Sequence, residues 1–164
     1  MEMRLATPGD IPRVMEIMAA ARLYQRACGF VQWEDGYPAE ADIQRDIDSG
    51  AARVFVAGGE IMGYASLAVG DASYDEHPGL WRYAGEYGVI HRLALAPQQR
   101  GKGRGEELFL LMENEYRDRG IRTVRADTGA ANVVMQRLLT RCGYEPRGQC
   151  AFTWGDRLAY EKPL

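Results

Sequence analysis

Arg100, Lys102 and Arg104 alternate with Gly101, Gly103 and Gly105 in the run "APQQRGKGRGEEL", which separates an apolar stretch from an amphipathic one. Glycines in such a run let consecutive amide N–H groups turn inward with no Cβ in the way. A helix starting just afterwards adds unpaired N–H groups and the positive end of its dipole. With the three cations as mobile counter-charge, the run suits a pyrophosphate. A solvated turn with incidental charge is the plain alternative. Two other phosphate loops are excluded by position. A Walker loop needs glycine where Ala96 stands and Ser or Thr where Gly103 stands, and the dinucleotide pattern breaks at Glu106 in one frame and Leu108 in the other.

Other residue types with chemistry cluster upstream. In "GVIHRLALA", period-two alternation sets Tyr87, Val89, His91, Leu93 and Leu95 on one face. His91 titrates near neutrality and suits a general base; the alternative is a satisfied structural histidine. The segment "RACGFVQWEDGYPAE" gathers Phe30, Trp33, Glu34, Asp35 and Tyr37. Aromatic walls with carboxylates suit a cationic or amine-bearing acceptor. Equally, Phe30 and Trp33 could cover the core while Glu34 and Asp35 are solvated. Gly70 to Tyr87 reads as a long connection without regular structure, a feature of lids and binding segments. It carries Tyr74, Trp81, Tyr83 and Tyr87, with Asp75 and Glu86 as further carboxylates. Two histidines and no close Cys/His pairs predict no metal site.

The elements that must hold these residues follow from pattern. "MRLA" opens as a strand. "TPGDIPRVMEIMAAARLYQRA" is a helix with Ile11, Val14, Met15, Met18 and Ala21 at helical spacing, entered through a capping box of Thr7 and Asp10. "AEADIQRDIDSG" is a second helix. "ARVFVA" and "IMGYASLAV" flank the turn "GGE" as a hairpin. After the apolar strand and the glycine run comes the helix "GEELFLLMENEYRDRG", with Leu108, Leu111 and Met112 on one face. The strand "IRTVRADT", the helix "NVVMQRLLTRCG" and a terminal hairpin of "QCAFTW" and "RLAYEKP" complete the chain. This order predicts an α/β (α+β) sandwich with a mixed sheet.

With 164 residues the chain predicts one domain, 1–164, and its formal charge of -3 argues against general nucleic-acid binding. Three scattered cysteines imply no disulfide framework. No signal pattern and no bilayer-length apolar run are visible, so no membrane partner and a soluble, cytoplasmic protein are expected.

Arg100-x-x-Gly103-x-Gly105, preceded by "LALAP" and followed by a helix, resembles the acyl-CoA signature of the GNAT superfamily of N-acyltransferases. "DTGAANVVMQRLLTRCGYEPRG" is similar to the family's second conserved segment, with Asn132 at its start and Gly143-Tyr144 where Gly-Phe is usual. "RLATPGDIPRVMEI" is also typical of its opening. The resemblance implies a mixed, mostly antiparallel central sheet flanked by about four helices, with splayed central strands forming a CoA cleft. It implies acetyl-CoA as cosubstrate and an N-acetyltransferase acting by direct attack of an amine. Leu93, Ala94 and Leu95 would offer backbone groups to the pantetheine, and Arg100, Gly101, Lys102, Gly103, Arg104 and Gly105 would hold the pyrophosphate. Asn132 would bond the pantetheine, cap its helix, or do both. Dimers are common in the family, so a homodimer is a further expectation.

Two departures bear on the chemistry. The family's usual acid, a Tyr seven residues after the Asn, is Leu139 here, and a frequent Glu on the central strand is Val89. That leaves His91 as the base candidate, and Tyr144 as an acid candidate whose alternative is a packed aromatic. Trp33, Glu34, Asp35 and Tyr87 are the acceptor-site candidates. A CoA-binding module without catalysis is the competing reading, and an RNA-binding loop a weak third.

Overall fold

In a computed structural model of the chain, residues 1–34, 36–152 and 155–164 are described. Seven strands take the order β1-β2-β3-β4-β5-β7-β6. They are β1 (Glu2–Leu5), β2 (Ala52–Ala57), β3 (Glu60–Val69), β4 (Gly88–Leu95), β5 (Thr123–Thr128), β6 (Glu145–Phe152) and β7 (Gly155–Pro163). The helices are α1 (Ile11–Ala27), α2 (Glu40–Asp48), a single turn α3 (Ala72–Asp75), α4 (Arg104–Asp118) and α5 (Val133–Arg141). The residues gather into two compact units. One comprises Met1–Leu67 with Arg92–Arg104, the other Ala68–His91 with Gly105–Leu164.

In the first unit β1, β2 and β3 pair antiparallel, β2 and β3 through the Gly58-Gly59 turn. The capping box forms as expected, with the Thr7 amide donating to Asp10 Oδ2 at 2.8 Å. It precedes a short turn, Pro8–Asp10, from which α1 runs on. Val14, Ile17, Met18 and Ala21 then bury one stripe of α1 against Ile43 of α2 and Val54 of β2. Each large aliphatic buried this way contributes about 1.5–3 kcal/mol. The strip ends where Cys28 closes α1 and Gly29 turns left-handed.

In the second unit β4 and β5 pair parallel at Gly88↔Val124 and Val89↔Arg125. β5 pairs antiparallel with β7 along Thr123–Thr128, and β7 with β6. Tyr74, Tyr87, Val89, Cys150 and Phe152 form its core. Gly88 lies beneath the Tyr116 ring, where a Cβ would meet ring carbon at 2.4 Å, and the Tyr116 hydroxyl donates to the Val89 carbonyl at 2.8 Å.

The interval between β3 and β4 is more regular than expected. It holds α3 and a 3-10 turn, Pro78–Leu80. Asp71 caps α3 through its Oδ1, which accepts from the amides of Ser73 and Tyr74. Two buried aromatics, Tyr74 and Tyr87, anchor the segment and remove the need for it to be loose. Among the described residues no helix is long and apolar enough to cross a membrane.

Candidate functional site

The glycine run is built as a backbone concavity. β4 ends at Leu95, a 3-10 turn covers Pro97–Gln99, and Arg100 is extended. Gly101 and Gly103 then have φ of 71° and 69°, and α4 begins at Arg104. Left-handed residues set between right-handed or extended ones turn successive N–H groups toward one side, which is an anion-binding geometry. The first turn of α4 adds its own orphan N–H groups. Nothing lies within 4 Å of a Cβ built on Gly101 or Gly103, so room is left where side chains would stand. A pyrophosphate fits this arrangement. Gly105 has another role: a Cβ there would meet the Leu138 methyls at 2.6 Å, so its absence lets α4 and α5 approach.

Arg100 departs from its expected part. Its Nε donates to the Leu95 carbonyl at 3.0 Å and its guanidinium lies 4.8 Å from the Tyr24 ring centroid. Burial pulls its pKa down, against the nearby Tyr24 and Cys28. It therefore ties the end of β4 to α1 instead of supplying mobile counter-charge. Lys102 and Arg104 are exposed.

β4 itself is bent at Arg92, whose φ of 53° is unusual for a non-glycine residue. Its Nε and Nη2 donate to Asp46 at 2.9 and 2.5 Å, and its Nη1 donates to the Tyr37 hydroxyl at 3.0 Å. The Tyr64 hydroxyl also donates to Asp46 at 2.6 Å. Burial lowers the Arg92 pKa, yet bonding and charge from Asp46 outweigh it and leave it raised. The left-handed residue interrupts the period-two alternation expected from Tyr87 to Leu95. Tyr87, Val89 and His91 precede it; Leu93 and Leu95 follow it, half-buried beside a buried Ala94.

His91 is paired. Its Nε2 lies 2.9 Å from Asp71 Oδ2, and both side chains remain one-fifth exposed. Burial would raise the Asp71 pKa, but the bond and charge of His91, with the Ser73 and Tyr74 amides, leave it lowered. Asp71 was not visible as a partner in the sequence, since twenty residues separate it from His91. Around this pair stand two further tyrosine–carboxylate bonds. Tyr87 donates to Asp75 Oδ1 at 2.6 Å, and Tyr74 to Asp127 Oδ2 at 2.6 Å. Burial first, and then those carboxylates, push both phenols up. The Tyr74 ring is 5.9 Å from the His91 ring.

Beside this network lies a cavity of about 280 Å³. Tyr74, Asp75, Trp81, Tyr83, Tyr87 and Arg125 contribute to its lining. Its residues come from the 70–87 segment and β5, so the aromatic interval does form a pocket.

A model of the acetyltransferase (GNAT) family matches residues 20–144. The chain belongs to this family. It is an acetyltransferase of the GNAT type. A GNAT family acetyltransferase from Streptococcus agalactiae is 33% identical, over 99% of this chain and 95% of that one, with a TM-score of 0.87. The Sinorhizobium meliloti phosphinothricin acetyltransferase in complex with AcCoA is 21% identical over 99% and 88%, with a TM-score of 0.71. AAC(6')-Ib in complex with ribostamycin and coenzyme A is 22% identical over 98% and 92%, with a TM-score of 0.73. No curated protein matches the chain.

The remaining sequence candidates of this GNAT acetyltransferase occupy structural positions. Tyr144 is buried, edge-on to Phe109 at 5.3 Å, near Glu113 and Lys162. Burial, and then the Glu113 charge, hold its phenol well above the ordinary value. A ring so enclosed serves packing. Asn132 caps α5, its Oδ1 accepting from the Met135 amide at 3.2 Å. Trp33 is buried in the same apolar cluster as Ile17 and Met18 of α1, its amide donating to Gln25 Oε1 at 3.0 Å. Glu34 is exposed, and Asp35 lies outside the described residues. Val89 and Leu139 are fully buried apolar residues.

Proposed function

We propose that this acetyltransferase takes acetyl-CoA as donor and transfers the acetyl group to an amine by direct attack. The observation that carries the reading is the open left-handed pair Gly101 and Gly103 leading into the first turn of α4. The backbone from Arg100 to Gly105 holds the pyrophosphate, with Lys102 and Arg104 as exposed counter-charge. Leu93, Ala94 and Leu95 offer backbone groups to the pantetheine, and Asn132 is retained on the family pattern. The bound thioester supplies the acyl group.

His91 is the base. An aliphatic ammonium titrates near 10 and must lose a proton before attack. His91, held by Asp71, accepts that proton. The N–C bond then forms, the C–S bond breaks with its electron pair leaving on sulfur, and the nitrogen gives its second proton to solvent. The Leu93 N–H is the donor to the oxyanion. With Leu139 apolar and Tyr144 packed, the thiolate takes its proton from solvent. The cavity edged by Tyr74, Asp75, Trp81 and Tyr87 receives the acceptor.

Thiol release from acetyl-CoA over an amine panel tests the reading. His91→Ala is expected to lower kcat/KM by roughly a hundredfold. It should also remove the acid limb of the rate profile, since the wild-type base works only when unprotonated. A rate profile identical to wild type takes His91 out of the mechanism.

A further inference from the structure

The cavity contains a cation whose surroundings are incomplete. Arg125 is only 5% exposed. Its Nε donates to Glu161 Oε1 at 3.0 Å and its Nη2 to the Tyr83 carbonyl at 2.8 Å. The guanidinium carbon lies 3.6 Å from the Tyr87 ring centroid and 4.5 Å from that of Trp81. Glu161 is fully buried, and its Oε2 accepts from the Arg82 amide at 2.8 Å. The guanidinium is therefore fixed in place by two bonds and two aromatic rings. Nη1 has no partner among the described residues, while Arg125 lines the cavity. A guanidinium carries five N–H donors, and the two bonds above leave those of Nη1 for a ligand of the cavity that Arg125 lines.

The charges of the cavity define what would complete it. Arg125 and Glu161 offset one another, and Arg82 faces Glu145 at 3.5 Å. Asp75 remains as an exposed carboxylate, with one oxygen engaged by Tyr87. A ligand with an anionic end at Nη1 and an ammonium end at Asp75 satisfies both without adding net charge. The Tyr87 hydroxyl that meets Asp75 also accepts from the Asp71 amide at 3.1 Å, so the ammonium end adjoins the His91–Asp71 pair. A volume of about 280 Å³ sits at the lower edge of small-molecule pockets, ~300–1,000 Å³, and suits a molecule of amino-acid size.

We propose that the acceptor is a small amine bearing a carboxylate, and that Arg125 recognises the carboxylate. This rests on the cavity being the acceptor site of the acetyltransferase. The experiment compares kcat/KM for free amino acids with kcat/KM for the same amino acids as primary amides. Free acids are expected to be preferred at least tenfold. Removing Arg125 alone strands a buried carboxylate, so the variant is Arg125→Met combined with Glu161→Gln, in which the acid-to-amide ratio should fall toward one. N-acetylated amino acids give a readout without turnover: they should raise the Tm of the wild type and not that of the double variant. Equal rates for acids and amides, or a ratio unmoved in the variant, overturn the proposal. No turnover on any amine, with the Arg125-dependent Tm shift intact, overturns the acceptor-site reading and upholds the carboxylate site. Should the double variant not fold, the wild-type ratio decides.

Discussion

Two arginines on the neighbouring strands β4 and β5, Arg92 half-buried and Arg125 buried, are paired with carboxylates in opposite ways. Arg92 commits every nitrogen: two to Asp46 and the third to Tyr37. Arg125 commits two, to Glu161 and the Tyr83 carbonyl, and its third faces no protein acceptor among the described residues. The first pair holds an unusual backbone, since Arg92 sits at φ 53° where few side chains settle. The second holds a cation at the wall of a cavity. An ion pair by itself says little about purpose, because desolvation offsets most of its attraction. Between these two arginines, the difference is that Arg92 has every nitrogen engaged within the protein and Arg125 does not.

Three changes probe that difference. The largest effect is expected from Asp46→Ala, which strands Arg92 and removes the acceptor of Tyr64; a loss of about 3–5 kcal/mol in urea unfolding follows. A loss near that of a surface pair, below about 1 kcal/mol, would show that Asp46 is not the brace. Tyr37→Phe comes next. It leaves Arg92 Nη1 as unaccompanied as that of Arg125, at a cost of about 1 kcal/mol, because that site is half open to water. A cost of several kcal/mol would make the third bond as important as Asp46.

The smallest effect belongs to an exposed pair, Arg4–Asp10. The Arg4 hydrogen bond first, with bonds from Thr7 and against the cost of burial, holds the Asp10 carboxyl at about 2. A folded value below the unfolded one, about 3.9, means that its contribution is whole above that pH. It is lost as pH falls toward 2. Asp10→Asn should therefore lower Tm slightly at neutral pH, by no more than about 1 kcal/mol of stability, and flatten the decline between about pH 4 and 2. A variant whose Tm falls in acid as steeply as the wild type would remove Asp10 from the acid response.

Local pattern accounts for most of what was legible. The Gly58-Gly59 turn, the Thr7–Asp10 box, the strand and helix order and the glycine run each depend on residues a few positions apart. These interactions are encoded within a single turn or hairpin, so the sequence alone determined the elements and the glycine-run backbone. It also raised His91 and the aromatic interval, without their partners. Asp71, Asp46, Arg125 and Glu161 carry no local signal, because each acts through a residue 20 to 46 positions away. Likewise, nothing in "VIHRLAL" announces that Arg92 turns left-handed and breaks the alternation; that depends on Asp46 arriving from α2. Nor could Trp33 be separated from a binding wall until its ring was seen in the core. Which charges are spent on one another, and which remain to meet a ligand, is fixed only when distant strands and helices pack, since the paired groups lie 20 to 46 positions apart in the chain.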